Sequence, residues 1–87
     1  MNKDIEANRA FDRILREWDP FEEGEDFYDT EAADAIQAVH QLDDKEALAQ
    51  KIREIYEFSF EKPLSLTSCR EVAERLLQIK NETSCEL

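Results

Sequence analysis

The sequence predicts an all-α fold: a compact, four-helix bundle-like single domain with an acidic loop between helices 1 and 2. Three observations carry that expectation. Apolar side chains recur at helical spacing in four separate stretches. The chain holds one glycine and two prolines, and these breakers fall between the stretches. At 87 residues there is room for one domain, 1–87, and a chain of that size buries roughly 60–65 % of its unfolded surface.

In the first stretch Phe11, Ile14, Leu15 and Trp18 recur at i, i+3, i+4 and i+7, with Ile5 about a turn earlier, while Asp12, Arg13, Arg16 and Glu17 face outward. Helix 1 is expected from about Asp4 to Trp18. Asp19 precedes Pro20, whose ring crowds the α conformation of the residue before it, and Gly24 follows among acids, so the helix stops there. Asp29 or Thr30 offers a capping oxygen for helix 2, with the stripe Ala32, Ala35, Ile36 and Val39 running to about Gln41. Asp43-Asp44-Lys45-Glu46 has capping-box spacing, in which Asp43 accepts from the third amide and Glu46 reaches back. Helix 3 begins there, with Leu48, Ile52, Ile55 and Tyr56 on its apolar face.

Tyr56, Phe58 and Phe60 alternate with Glu57, Ser59 and Glu61, which is also the strand period. A strand would have no partner in this chain, so a helix fraying near Phe58 and ending before Pro63 is expected. Ser65 or Ser68 caps helix 4, whose stripe Cys69, Val72, Ala73, Leu76 and Leu77 is the most regular of the four. It is expected to reach about Lys80, leaving residues from about 81 loosely ordered. Each helix is too short to be stable alone, so the stripes must be buried against one another.

With 11 basic and 22 acidic side chains the formal net charge is −11 at pH 7. From Glu17 to Asp44 there are 11 acids and no Lys or Arg, and outside that segment acids and bases balance at 11 each. Trp18, Phe21, Phe27, Tyr28, Ile36 and Val39 interrupt the acidic run, and burying them holds the segment against its own repulsion. An acidic excess opposes phosphate backbones and anionic headgroups, so no nucleic acid and no membrane surface is expected as a partner. The apolar runs are far too short to span a bilayer, and Met1-Asn2-Lys3-Asp4 opens no signal peptide, which points to a cytoplasmic setting.

Trp18-Asp19-Pro20, Tyr28-Asp29-Thr30-Glu31, Gln37-Ala38-Val39-His40 and Ile55-Tyr56-Glu57-Phe58-Ser59-Phe60 together resemble the YugE-like family of small uncharacterised bacterial proteins. The resemblance covers nearly the whole chain. It implies a helical domain of unknown function in a bacterial cytoplasm, and it carries over no catalytic residue.

The residues themselves suggest several sites. An EF-hand register starting at Asp19 places Glu23 fifth and Gly24 sixth, but Phe21 and Thr30 occupy the third and twelfth positions, where oxygen ligands are required. Calcium or magnesium regulation is the alternative reading, without a defined metal site. Trp18, Phe21, Phe27 and Tyr28 either plug the loop onto the bundle or form a contact patch. His40, the only histidine, is expected to be structural or on the surface. Cys69 is expected in the core and Cys85 as the more reactive thiol, without a disulfide. The Tyr56, Phe58 and Phe60 rings belong to the core or to a dimer contact. No cofactor and no catalytic residue is indicated, because a chain with this little core has few ways to desolvate a carboxylate. The sequence thus favours a non-enzymatic protein-binding module, a monomer or weak homodimer. Its partner-binding residues would be Phe21, Glu22, Glu23, Glu25, Asp26 and Tyr28, facing a basic protein.

Overall fold

The computed structural model describes residues 3–84, with the side chains of 6–24 and 26–82. Four helices follow in order: α1 (Lys3–Trp18), α2 (Asp29–Gln41), α3 (Lys45–Phe60) and α4 (Leu66–Ser84), with a short 3-10 turn at Glu25–Tyr28. Among the described residues there is no strand. Helices α1 and α3 lie at opposite corners, each packed against both α2 and α4, and α2 and α4 meet across the middle. The apolar stripes of all four converge on one core containing Phe11, Leu15, Val39, Leu48, Ile52, Tyr56, Cys69 and Leu76, each fully buried. The side chain of Ile5 lies outside the described residues.

Helix 3 shows how the aromatic alternation resolves. At about 100° per residue, positions four apart share a face and positions two apart are separated by about 200°. Tyr56 therefore points into the core and Phe60 packs against it, while Phe58 is thrown outward and is 88 % exposed. The helix does not fray at Phe58 but continues to Phe60, where Glu61 in the left-handed conformation (φ 54°) donates its N–H to the Glu57 carbonyl.

The helix ends differ from expectation in three places. Asp44, not Asp43, caps α3, accepting from the Ala47 amide at 2.8 Å. Asp43 instead meets Lys80 Nζ at 2.7 Å. Neither Asp29 nor Thr30 caps α2, because the 3-10 turn runs straight into it and Tyr28 takes the cap position without a side-chain bond. Of the two candidate serines before α4, Ser65 accepts from the Ser68 amide at 3.4 Å. Helix α4 then continues past Lys80 to Ser84, so residues 81–84 are helical rather than loose. Cys85 lies outside the described residues.

The end of α2 is closed from a distance. Lys80 on α4 donates to the Val39 carbonyl at 2.7 Å and the Leu42 carbonyl at 3.2 Å, two acceptors at the end of that helix. On the other flank His40 Nε2 lies 2.7 Å from Asn8 Oδ1 and its ring meets Phe11 edge-on, fastening α2 to α1. His40, expected to be structural or on the surface, is exposed while making these contacts.

Candidate functional site

The base-free segment begins where α1 stops. Asp19 takes a left-handed conformation (φ 38°) and turns its carboxylate back over the loop. Its oxygens accept from the Glu23 amide at 2.9 Å, the Gly24 amide at 3.3 Å and the Tyr28 hydroxyl. The Tyr28 hydroxyl in turn accepts from the Phe21 amide at 3.2 Å. The Tyr28 bond, followed by the backbone amides, holds the Asp19 carboxyl below the usual range. Burial, reinforced by the neighbouring carboxylate, raises the Tyr28 phenol. Gly24, the single glycine, has φ 103° and ψ 154°, a region essentially closed to other residues.

Aromatic rings bolt this loop to the far end of α3. Phe21 packs on Phe60 (centroids 5.1 Å apart), Tyr28 on Phe60 (5.3 Å) and Tyr56 (5.7 Å), and Trp18 edge-on to Tyr56 (5.3 Å). Lys62 closes the lid over them, its Nζ 5.6 Å from the Phe21 ring centroid and 2.7 Å from Glu23. Among the described residues Tyr56 has a fully buried hydroxyl without a hydrogen-bond partner, and burial first, then the nearby Glu31, raises its pKa.

These contacts sort the expected partner-binding residues. Tyr28 is fully buried, so it is a structural plug and not a contact residue; its hydroxyl is consumed by the loop's own hydrogen bonds. Phe21 is half-buried on Phe60, and Glu23 is tied to Lys62. Glu22 and Asp26 are exposed. The side chain of Glu25 lies outside the described residues. The exposed ring of the loop is Phe27, 64 % accessible, so of the two readings open for it, plug or contact patch, it is not a plug. Its position in the 3-10 turn has no apolar period to reveal it.

A second surface lies between α2 and α3, outside the loop. Asp34, Lys51, Glu54, Ile55, Glu57, Phe58 and Ser59 line a depression of about 630 Å³. It continues along the helices past Gln37, Ala38 and Gln41.

No group of three or more His, Cys, Asp or Glu side chains that could hold a metal ion occurs among the described residues. Cys69 is buried in the core and its thiol is pushed up to about 11 by that burial. Arg16 is raised by its bonds to Asp12 and then Asp29; it reaches Asp29 at 2.8 Å, linking α1 to the start of α2. Among the described residues no helix is long and apolar enough to cross a membrane.

With this geometry in hand, comparison with known proteins gives three consistent results. Residues 11–86 match the family model described as "Domain of unknown function (DUF1871)". The chain is 52 % identical over 79 residues to "Uncharacterized protein YugE" of Bacillus subtilis (strain 168), covering 91 % of this chain and 92 % of that protein. A crystal structure of a Bacillus stearothermophilus protein superposes with a TM-score of 0.86 at 42 % identity, covering 88 % of this chain and 95 % of that one.

Proposed function

The chain belongs to the DUF1871 family, the YugE-like proteins its motifs resemble, and on that premise we propose that it is a non-enzymatic protein-binding module for a basic partner. One observation carries the reading. Phe27 stands 64 % exposed on a loop that also exposes Glu22 and Asp26, in a segment without a single Lys or Arg. An accessible ring beside uncompensated carboxylates suits a basic surface, with the charges speeding encounter and the ring supplying apolar area. Phe27 thus takes the anchoring role that the buried Tyr28 cannot fill.

The non-enzymatic part rests on where the perturbed groups sit. Asp19 and Tyr28 satisfy the loop's own backbone, Tyr56 and Cys69 are sealed in the core, and Arg16 pairs with Asp12 and Asp29. None lines the depression between α2 and α3.

The test is affinity capture from native lysate of the source bacterium with the wild-type chain and with Glu22→Lys/Asp26→Lys/Phe27→Ala as baits. A partner with a basic face, retained at low salt by the wild type, released as salt rises and absent from the variant, is the expected result. Equal capture by both baits at all salt concentrations would refute the reading.

A further inference from the structure

On helix α3, Lys51, Glu54, Ile55 and Phe58 stand at i, i+3, i+4 and i+7 and so share one face, the wall of the depression against α2. Across it α2 offers Asp34, Gln37 and Gln41, with Ala38 lining the cleft between the walls. Ala32, Ala35 and Ala38 of α2 are buried, and Ala38, the one of them that lines the cleft, carries too small a side chain to fill it. The result is an open channel with an apolar seat at one end. Ile55 is half-buried there, and Phe58 is 88 % exposed, the most accessible large apolar side chain among the described residues. A ring held that far into water on a well-formed helix contributes nothing to the core.

We propose that this channel is the seat for a basic amphipathic helix of a partner protein, with Phe58 and Ile55 receiving its apolar residues and Asp34 and Glu54 facing its Lys or Arg side chains. The proposal rests on the reading of the chain as a binder of basic proteins and names a different part of its surface. Charge decides the occupant. Lys51 is the sole base on the channel walls; Glu57 is engaged by the Leu64 amide at 2.8 Å, and Asp34 and Glu54 remain available. A second copy would bring together two chains of net charge −11, each with acids on the same walls, whereas a cationic helix is drawn in by them. Helix-in-groove recognition also suits the dimensions, since the wall from Lys51 to Phe58 spans about two helical turns.

The probe is a synthetic Lys/Leu amphipathic helix of about 18 residues, about 27 Å long, with a Glu/Leu counterpart as control. It is titrated into the 15N-labelled full chain and followed by amide shifts and affinity. The expected shifts map to Asp34, Gln37, Ile55 and Phe58, for the Lys peptide alone. Phe58→Ala should weaken binding about tenfold or more while leaving the melting temperature unchanged, and Phe27→Ala should have little effect. Asp34→Lys/Glu54→Lys should remove binding in a chain that still folds.

Shifts confined to residues 22–29, lost in Phe27→Ala and kept in Phe58→Ala, would overturn the channel and leave the acidic loop as the binding face. No binding to either surface at low salt would overturn both readings. A Phe58-dependent dimer of the chain alone in sedimentation would overturn the proposal by making a second copy the occupant.

Discussion

Tyr28 and Tyr56 lie side by side in the same aromatic cluster, and their hydroxyls have opposite fates. Tyr28 donates to Asp19 and accepts from the Phe21 amide; Tyr56 has no partner for a hydroxyl that is fully enclosed. Removing a bonded hydroxyl strands its partners, whereas removing an orphan relieves a desolvation cost. Tyr28→Phe should therefore lower stability by about 1–2 kcal/mol, and Tyr56→Phe should be neutral or stabilising. Thermal or urea unfolding of the two variants separates these outcomes. The penalty of Tyr28→Phe also depends on pH. Asp19 titrates below its unfolded value when folded, so the stability it contributes is complete above about pH 4 and is lost as pH falls through the lowered folded pKa. The gap between wild type and Tyr28→Phe should thus be full at pH 7 and narrow in acid; a gap that widened in acid would contradict this assignment. Gly24→Ala adds a Cβ at ordinary contact distance, 3.6 Å from the Phe27 ring, so its expected cost of about 1–3 kcal/mol comes from the backbone. Whether Tyr28 plugs the loop or meets a partner was open in the sequence, because the ring that covers it, Phe60, arrives from α3, far along the chain. Of the three rings expected in the core or at a dimer contact, Phe58 is not core, since a helix that buries Tyr56 turns Phe58 away.

Elements whose apolar side chains repeat at i, i+3 and i+4 were readable from the sequence, and all four helices fall where their stripes place them. Their ends were less so. Asp43 and Asp44 both have capping chemistry, and which one caps depends on the entry of the chain, fixed by Lys80 drawing Asp43 aside. The 3-10 turn at Glu25–Tyr28 is too short to show a period, and it removes the need for an Asp29 or Thr30 cap by feeding α2 directly. Lys80 is the residue that sequence reading had no means to find, because its acceptors belong to a helix some forty positions earlier. Two substitutions test these roles. Asp44→Ala should cost about 1 kcal/mol, and Asp43→Ala, which removes one exposed partner, should cost less. Lys80→Met keeps the aliphatic stem but leaves the Val39 and Leu42 carbonyls without their cation, with an expected loss of about 1–2 kcal/mol. Hydrogen exchange should show it as faster opening at the end of α2, and unchanged exchange there would remove Lys80 from the account.

Across the whole molecule the charge of −11 is concentrated in one segment and partly answered by bases that reach into it. Arg16 meets Asp29, Lys62 meets Glu23 and Lys80 meets Asp43, each cation coming from outside Glu17–Asp44. Among the described residues Glu22, Asp26 and Asp34 have no such pair and are exposed. The cross-links are short-range and partly exposed, so each contributes modestly, while repulsion among the remaining acids acts over a longer range that salt screens most effectively. Raising sodium chloride from about 0.01 M to about 1 M shortens the screening length from about 30 Å to about 3 Å. The melting temperature should rise by about 5 °C, the equivalent of about 1 kcal/mol for a domain of this size. Magnesium or calcium at matched ionic strength should give the same rise if the effect is screening, and a larger, saturating rise would mean that the acidic segment binds the ion. A melting temperature that falls with salt would reverse the balance. The three cross-links would then outweigh the repulsion, and the unpaired acids would be poor candidates for attracting a basic partner.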